Sequence, residues 1–170
     1  IGRNNVRYVP CDTFGKINVS ELSKMIAEDK QNGFAPIMVN LTAGTTVMGA
    51  FDEIPEVREI CDAHGMWVHL DGAYCGSVLF SNAYKHLIKG VELVDSFSYN
   101  AHKMLGTPLS CSIIVAKNKQ HLHDSFSNDT SYLSHTDHDE FNLGKTSLQC
   151  GRRNDGGGVG APAPRRTRNP

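Results

Sequence analysis

The sequence predicts an α/β fold, a mainly parallel sheet with flanking helices. Three observations carry this. Helical patterns about ten residues long alternate with short apolar runs of strand length, which is the signature of βαβ units. Ser20 and Asp52 open the first two helical patterns, and Gly33 and Gly65 close them. Polar residues gather just past the ends of the apolar runs, and in an open α/β sheet the carboxyl edge is where ligands bind.

The first helix is expected over residues 20–32, "SELSKMIAEDKQN". Ser20 is the expected N-cap, Glu21 suits the positive helix start, and Leu22, Met25 and Ile26 form the apolar stripe. "APIMVNL" reads as the first strand and runs into "TAGTTVMGAFD", a loop rich in Gly and Thr. Asp52 is expected to cap a second helix, "EIPEVREICDAH". Pro55 falls in its tolerant first turn, and Ile54, Val57, Ile60 and Cys61 share one face. "MWVHL" is the second strand and stops at Asp71. A helix is expected over 82–89, followed by the strand "DSFSY" and then Asn100, His102 and Lys103. "SCSIIVAK" returns through a turn holding Gly106 and Pro108, as a strand suited to antiparallel pairing. Residues 118–126 form the last expected helix. Residues 127–142 are polar and aperiodic, hence a mobile loop. Residues 156–170 are an atypical Gly-, Pro- and Arg-rich tail, expected to be disordered or a gene-model artefact.

Composition narrows the class. An apolar content of 39% with 21% charged residues is globular rather than disordered. Basic residues number 17 against 18 acidic ones, so no net charge draws the chain to nucleic acid or an anionic membrane. No run of eighteen apolar residues provides a membrane span. The five cysteines are odd in number, widely spaced and without C-x-x-C. Free thiols in a reducing, cytoplasmic setting are therefore expected. The chain does not begin with Met and reads as mid-domain from its first residues, so a fragment is expected.

Asp71 ends a strand and is followed by the small residues Gly72 and Ala73. Alone it reads as a turn or capping residue. Lys103 lies past the end of a later strand of the same sheet, so carboxylate and amine converge. They suit a salt bridge of modest value or the two anchors of pyridoxal phosphate. In the second reading Lys103 forms the Schiff base and Asp71 keeps the ring nitrogen protonated. Asn100 and His102 then offer N–H donors to the phosphate, Ala73 packs on the ring, and Thr45 and Thr46 hydrogen-bond near Asp71. His135, Asp137, His138 and Asp139, or His121 and His123, read as loop or helix-surface residues rather than metal ligands, and no metal is expected.

"TAGTTVMGAFDEI", "WVHLDGAYCGS", "GVELVDSFSYNAHKMLG" and "SLQCGRR" resemble the group II pyridoxal-phosphate-dependent amino acid decarboxylases over residues 1–155. Within them the chain looks most like the glutamate, cysteine sulfinate and aspartate 1-decarboxylase branch. The resemblance implies a partial fold type I PLP-dependent transferase-like large domain, residues 1–155 being its C-terminal half. It implies a carboxy-lyase that removes the α-carboxylate of an acidic amino acid as CO2 and works as a homodimer. Lys103 matches the Schiff-base lysine, Asp71 the ring-nitrogen partner, Ala73 the residue on one ring face and Thr46 the threonine beside the aspartate. Asn100 and His102 match phosphate contacts. Tyr132 matches the catalytic-loop tyrosine, the family's proton donor to Cα. Gly72 stands where the family usually has Ala, and Ala101 where Pro is common. The loop after Tyr132, "LSHTDHDEFN", is similar to the aromatic branch, which leaves an aromatic amino acid decarboxylase as the alternative. An inactive fragment lacking the N-terminal half and the C-terminal domain is the third reading.

Overall fold

The computed structural model describes residues 2–126 of the chain. Its elements run α1 (Val19–Gln31), β1 (Met38–Thr42), α2 (Ile54–Ala63), β2 (Trp67–Gly72), β3 (Ser96–Asn100), α3 (Ala101–Met104), β4 (Ser112–Ala116) and α4 (Lys119–Phe126). One sheet carries the strands in the order β1-β2-β3-β4. The first three are parallel and β4 is antiparallel to β3, as the sequence predicts.

Alternation along the strands sorts the sheet into two faces. Val39 and Leu41 of β1 pair in register with Val68 and Leu70 of β2, and all four are buried. Leu22 and Ile26 of α1 join Ile54, Val57 and Cys61 of α2 in the same core cluster. Burying a side chain of this size stabilises by about 1.5–3 kcal/mol, so this layer supplies much of the cohesion. The opposite face carries Asn40, Thr42, His69, Asp71, Ser96, Ser98 and Asn100, by the same register. Toward its far end α4 reaches over it, with the His121 ring 5.2 Å from that of Trp67.

Three local expectations are corrected. The cap of α1 is Asn18, not Ser20: Asn18 Oδ1 accepts from Glu21 N–H at 3.2 Å, and Ser20 Oγ donates to Asn18 at 2.8 Å. Asp52 does not cap α2. Its two oxygens accept from Ile17 N–H and Thr42 N–H, both at 2.7 Å, tying the segment before α1 to the end of β1. Glu53 takes the N-cap position without a side-chain bond, and Pro55 lies in the first turn. The helix expected over 82–89 is a short 3-10 turn, Lys85–Ile88, in a β2–β3 connection made of such turns. Of its apolar residues only Ile88 is buried, so no apolar stripe stabilises a longer helix.

Candidate active site at the carboxyl edge of the sheet

Asp71 is the penultimate residue of β2, paired with Thr42 on one side and Ser98 on the other. Its side chain is half-buried. Asp71 Oδ1 accepts from Ala73 N–H at 2.9 Å and from Ser98 Oγ at 3.5 Å. Its backbone carbonyl accepts from Ala43 N–H at 2.8 Å, so strand, turn and neighbour all fix its place. Gly72 follows on the opposite face. A Cβ there would stand 2.4 Å from Phe97 Cε2 and 3.1 Å from Gly76 Cα. The small residue is thus set by packing behind the site, where the Phe97 and Tyr99 rings stack.

β3 runs parallel to β2 and delivers Asn100 to the same edge. The chain then turns through the single helical turn α3, which carries His102 and Lys103. The Lys103 side chain is exposed, and those of Asn100 and His102 are half-buried. His102 Nδ1 lies 3.0 Å from both Cys111 N and Cys111 O, leaving Nε2 as the ring atom open to a ligand.

The loop after β1 is held by Thr45. Its Oγ1 accepts from Ala50 N–H at 3.0 Å, and its carbonyl accepts from Gly49 N–H at 2.8 Å. Thr46 is exposed on this loop. The hydrogen bonds on Asp71 Oδ1 come from Ala73 and Ser98. Tyr132 lies outside the described residues.

His69, Ser96 and Ser98 belong to this face and were missed. The signal was available: counting back by two from Asp71 reaches His69. Ser96 Oγ lies 2.7 Å from His69 Nδ1 and accepts from Trp67 Nε1–H at 2.9 Å. Burial pulls the His69 pKa below the ordinary histidine range, against the opposing pull of Asp71. The imidazole next to Asp71 is therefore neutral near pH 7. Among the described residues no group of three or more His, Cys, Asp or Glu converges as a metal site. No helix among them is long and apolar enough to cross a membrane. Cys11, Cys61, Cys75 and Cys111 are free thiols.

This donor set fits pyridoxal phosphate. A carboxylate held through one oxygen leaves the other for a ring nitrogen. The exposed amine stands past the end of the adjacent parallel strand, with an amide and an imidazole beside it. Fold and donor set together define the large-domain sheet of a fold type I pyridoxal-phosphate-dependent enzyme. The chain belongs to the pyridoxal-dependent decarboxylase family: the family model described as "Pyridoxal-dependent decarboxylase conserved domain" matches residues 1–156. It is 41% identical over 157 residues to the L-aspartate decarboxylase dtxS4 of Metarhizium robertsii, covering 91% of this chain and 31% of that protein. It is 40% identical over 159 residues to the acidic amino acid decarboxylase GADL1 of Bos taurus, covering 91% and 30%. Among solved structures, Oryza sativa TDC with PLP and tryptamine superposes with a TM-score of 0.85 at 30% identity, covering 91% of this chain and 33% of that one. The chain thus spans about a third of the length of the curated relatives it matches.

Proposed function

We propose that the protein carrying this chain is a pyridoxal-phosphate-dependent carboxy-lyase. It would remove the α-carboxylate of an acidic amino acid (cysteine sulfinate, aspartate or glutamate) as CO2, working as a homodimer in the cytoplasm. The observation that carries this is the placement of Asp71 near the end of β2 and of Lys103 just past the end of the adjacent parallel strand β3. When bound, the cofactor supplies an electron sink for the pair released from Cα. Lys103 Nζ is the amine that would hold the cofactor through its aldehyde carbon. Asp71 would hold the ring-nitrogen proton through Oδ2, while Ala73 and Ser98 keep the carboxylate oriented through Oδ1. Asn100 and His102 Nε2 donate to the phosphate. Ala73 packs on the ring face, and Thr46 is assigned to the same site beside Asp71. Tyr132 Oη is assigned the proton delivered to Cα.

The names of the two curated relatives, both acting on acidic amino acids, support the acidic substrate. A second reading, an aromatic amino acid decarboxylase, is favoured by the likeness to a structure holding tryptamine. A third, that residues 1–155 are the C-terminal half of a large domain and inactive alone, draws on the one-third coverage. Assay of the protein with cysteine sulfinate, aspartate, glutamate and DOPA tests these. CO2 release from one of the three acids is expected. Preference for DOPA would overturn the substrate assignment, and release from none would favour the inactive fragment.

A further inference from the structure

The last rung of the β3–β4 ladder is closed by a side chain. Ala101 and Cys111 stand one step beyond the register pair Asn100–Ser112. Ala101 N–H donates to Cys111 O at 2.9 Å. In an antiparallel ladder the return bond runs from the second N–H to the first carbonyl. Here Ala101 O accepts instead from Thr107 N–H at 3.4 Å, because the chain has already turned into α3. Cys111 N–H donates to His102 Nδ1 at 3.0 Å. A backbone amide only donates, so this bond makes Nδ1 an acceptor, and in that tautomer the neutral imidazole carries its proton on Nε2. Cys111 O also lies 3.0 Å from Nδ1. That oxygen already accepts from Ala101 N–H, so the tautomer protonated on Nε2 is the one that also pairs Cys111 N–H.

We propose that His102 is a positioning residue. Its Nδ1 replaces the backbone acceptor that the last rung has lost, which fixes the turn presenting Lys103 and leaves Nε2–H as an oriented donor at the ligand edge. The proposal rests on the reading that Lys103 holds the cofactor, and deepens it. A residue that only touches phosphate needs Nε2 alone. A residue that latches the turn needs Nδ1.

Two substitutions separate these roles. The amide of Asn places an acceptor oxygen near the position of Nδ1, and the longer Gln places its amide near Nε2. The protein and its His102→Asn and His102→Gln variants are compared by three readouts. These are exchange of the Cys111 amide without cofactor, the 15N shifts of the His102 ring, and the rate at which borohydride traps pyridoxal phosphate on Lys103. In the unsubstituted protein the neutral ring is expected to be protonated at Nε2. The Asn variant is expected to keep Cys111 protection within about threefold, while its trapping rate falls because Asn lacks the Nε2 donor to the phosphate. The Gln variant is expected to lose about tenfold in Cys111 protection, the equilibrium worth of one hydrogen bond. The proposal is overturned if Gln preserves Cys111 protection while Asn loses it, if both variants preserve it, or if the neutral ring carries its proton on Nδ1. Should a variant fail to fold by circular dichroism, the ring tautomer and Cys111 protection of the unsubstituted protein still decide. Absence of trapping on Lys103 even there would defeat the cofactor reading, and the two cofactor-free readouts would still judge the latch.

Discussion

Gly72 is small because of what lies behind it. An added Cβ would press into the Phe97 ring and toward Gly76 Cα. Gly72→Ala is expected to destabilise the protein by about 1–3 kcal/mol, the usual range for overpacking. Trimming the ring with Phe97→Leu should recover part of that loss in the double variant, read by urea denaturation. An alanine tolerated without loss would contradict this packing. His69 gives a pH test. Burial depresses its pKa in the folded state, so the unfolded chain takes up the proton first on acidification. The stability held by neutral His69 is present above about pH 6.5 and is lost as pH falls from there toward the folded value. His69→Gln should therefore flatten the stability profile between about pH 7 and pH 5. An unchanged slope would remove His69 from the account. Asp71 and Lys103 were legible because a strand end followed by small residues, and a basic residue past a later strand, are visible in a single line of sequence. The bonds of His102 were not, because they depend on the β3–β4 register and on where the strand breaks.

Strand direction was the most legible feature at the level of elements, since short apolar runs alternate with amphipathic segments. Boundaries were less so. The stretch "NVS" at the start of α1 holds two residues of capping type, and periodicity alone does not choose between them. The structure selects Asn18, whose oxygen reaches Glu21 N–H three residues on. Asn18→Ala is expected to cost about 1 kcal/mol of stability, whereas Ser20→Ala should change it by no more than about 0.5 kcal/mol. Thermal denaturation of the two variants ranks them, and the reverse order would return the cap to Ser20. Asp52 misled for the opposite reason. Its position just before α2 fits a cap, but both its oxygens bond to backbone outside that helix. That long-range tie has no periodic trace in the sequence. The β2–β3 connection shows the limit of helical spacing as a signal: residues 82–89 carry it, yet they bury only Ile88.

The two faces of the sheet differ in chemistry across the whole molecule. One is an apolar layer under α1 and α2. The other carries the titratable and hydroxyl side chains that surround Asp71. Strand alternation sets this division, and the parallel topology brings Asp71 and Lys103 to one edge although they are far apart in the chain. The central claim, that these two residues anchor the cofactor, is tested most directly by one measurement. Pyridoxal phosphate is added to the protein, reduced with borohydride and located by peptide mass spectrometry. The label is expected on the peptide containing Lys103 and should vanish in Lys103→Ala. Asp71→Asn should weaken retention of the cofactor at least about tenfold through the lost charge-assisted bond. A label on another lysine, or one that persists in Lys103→Ala, would contradict the account.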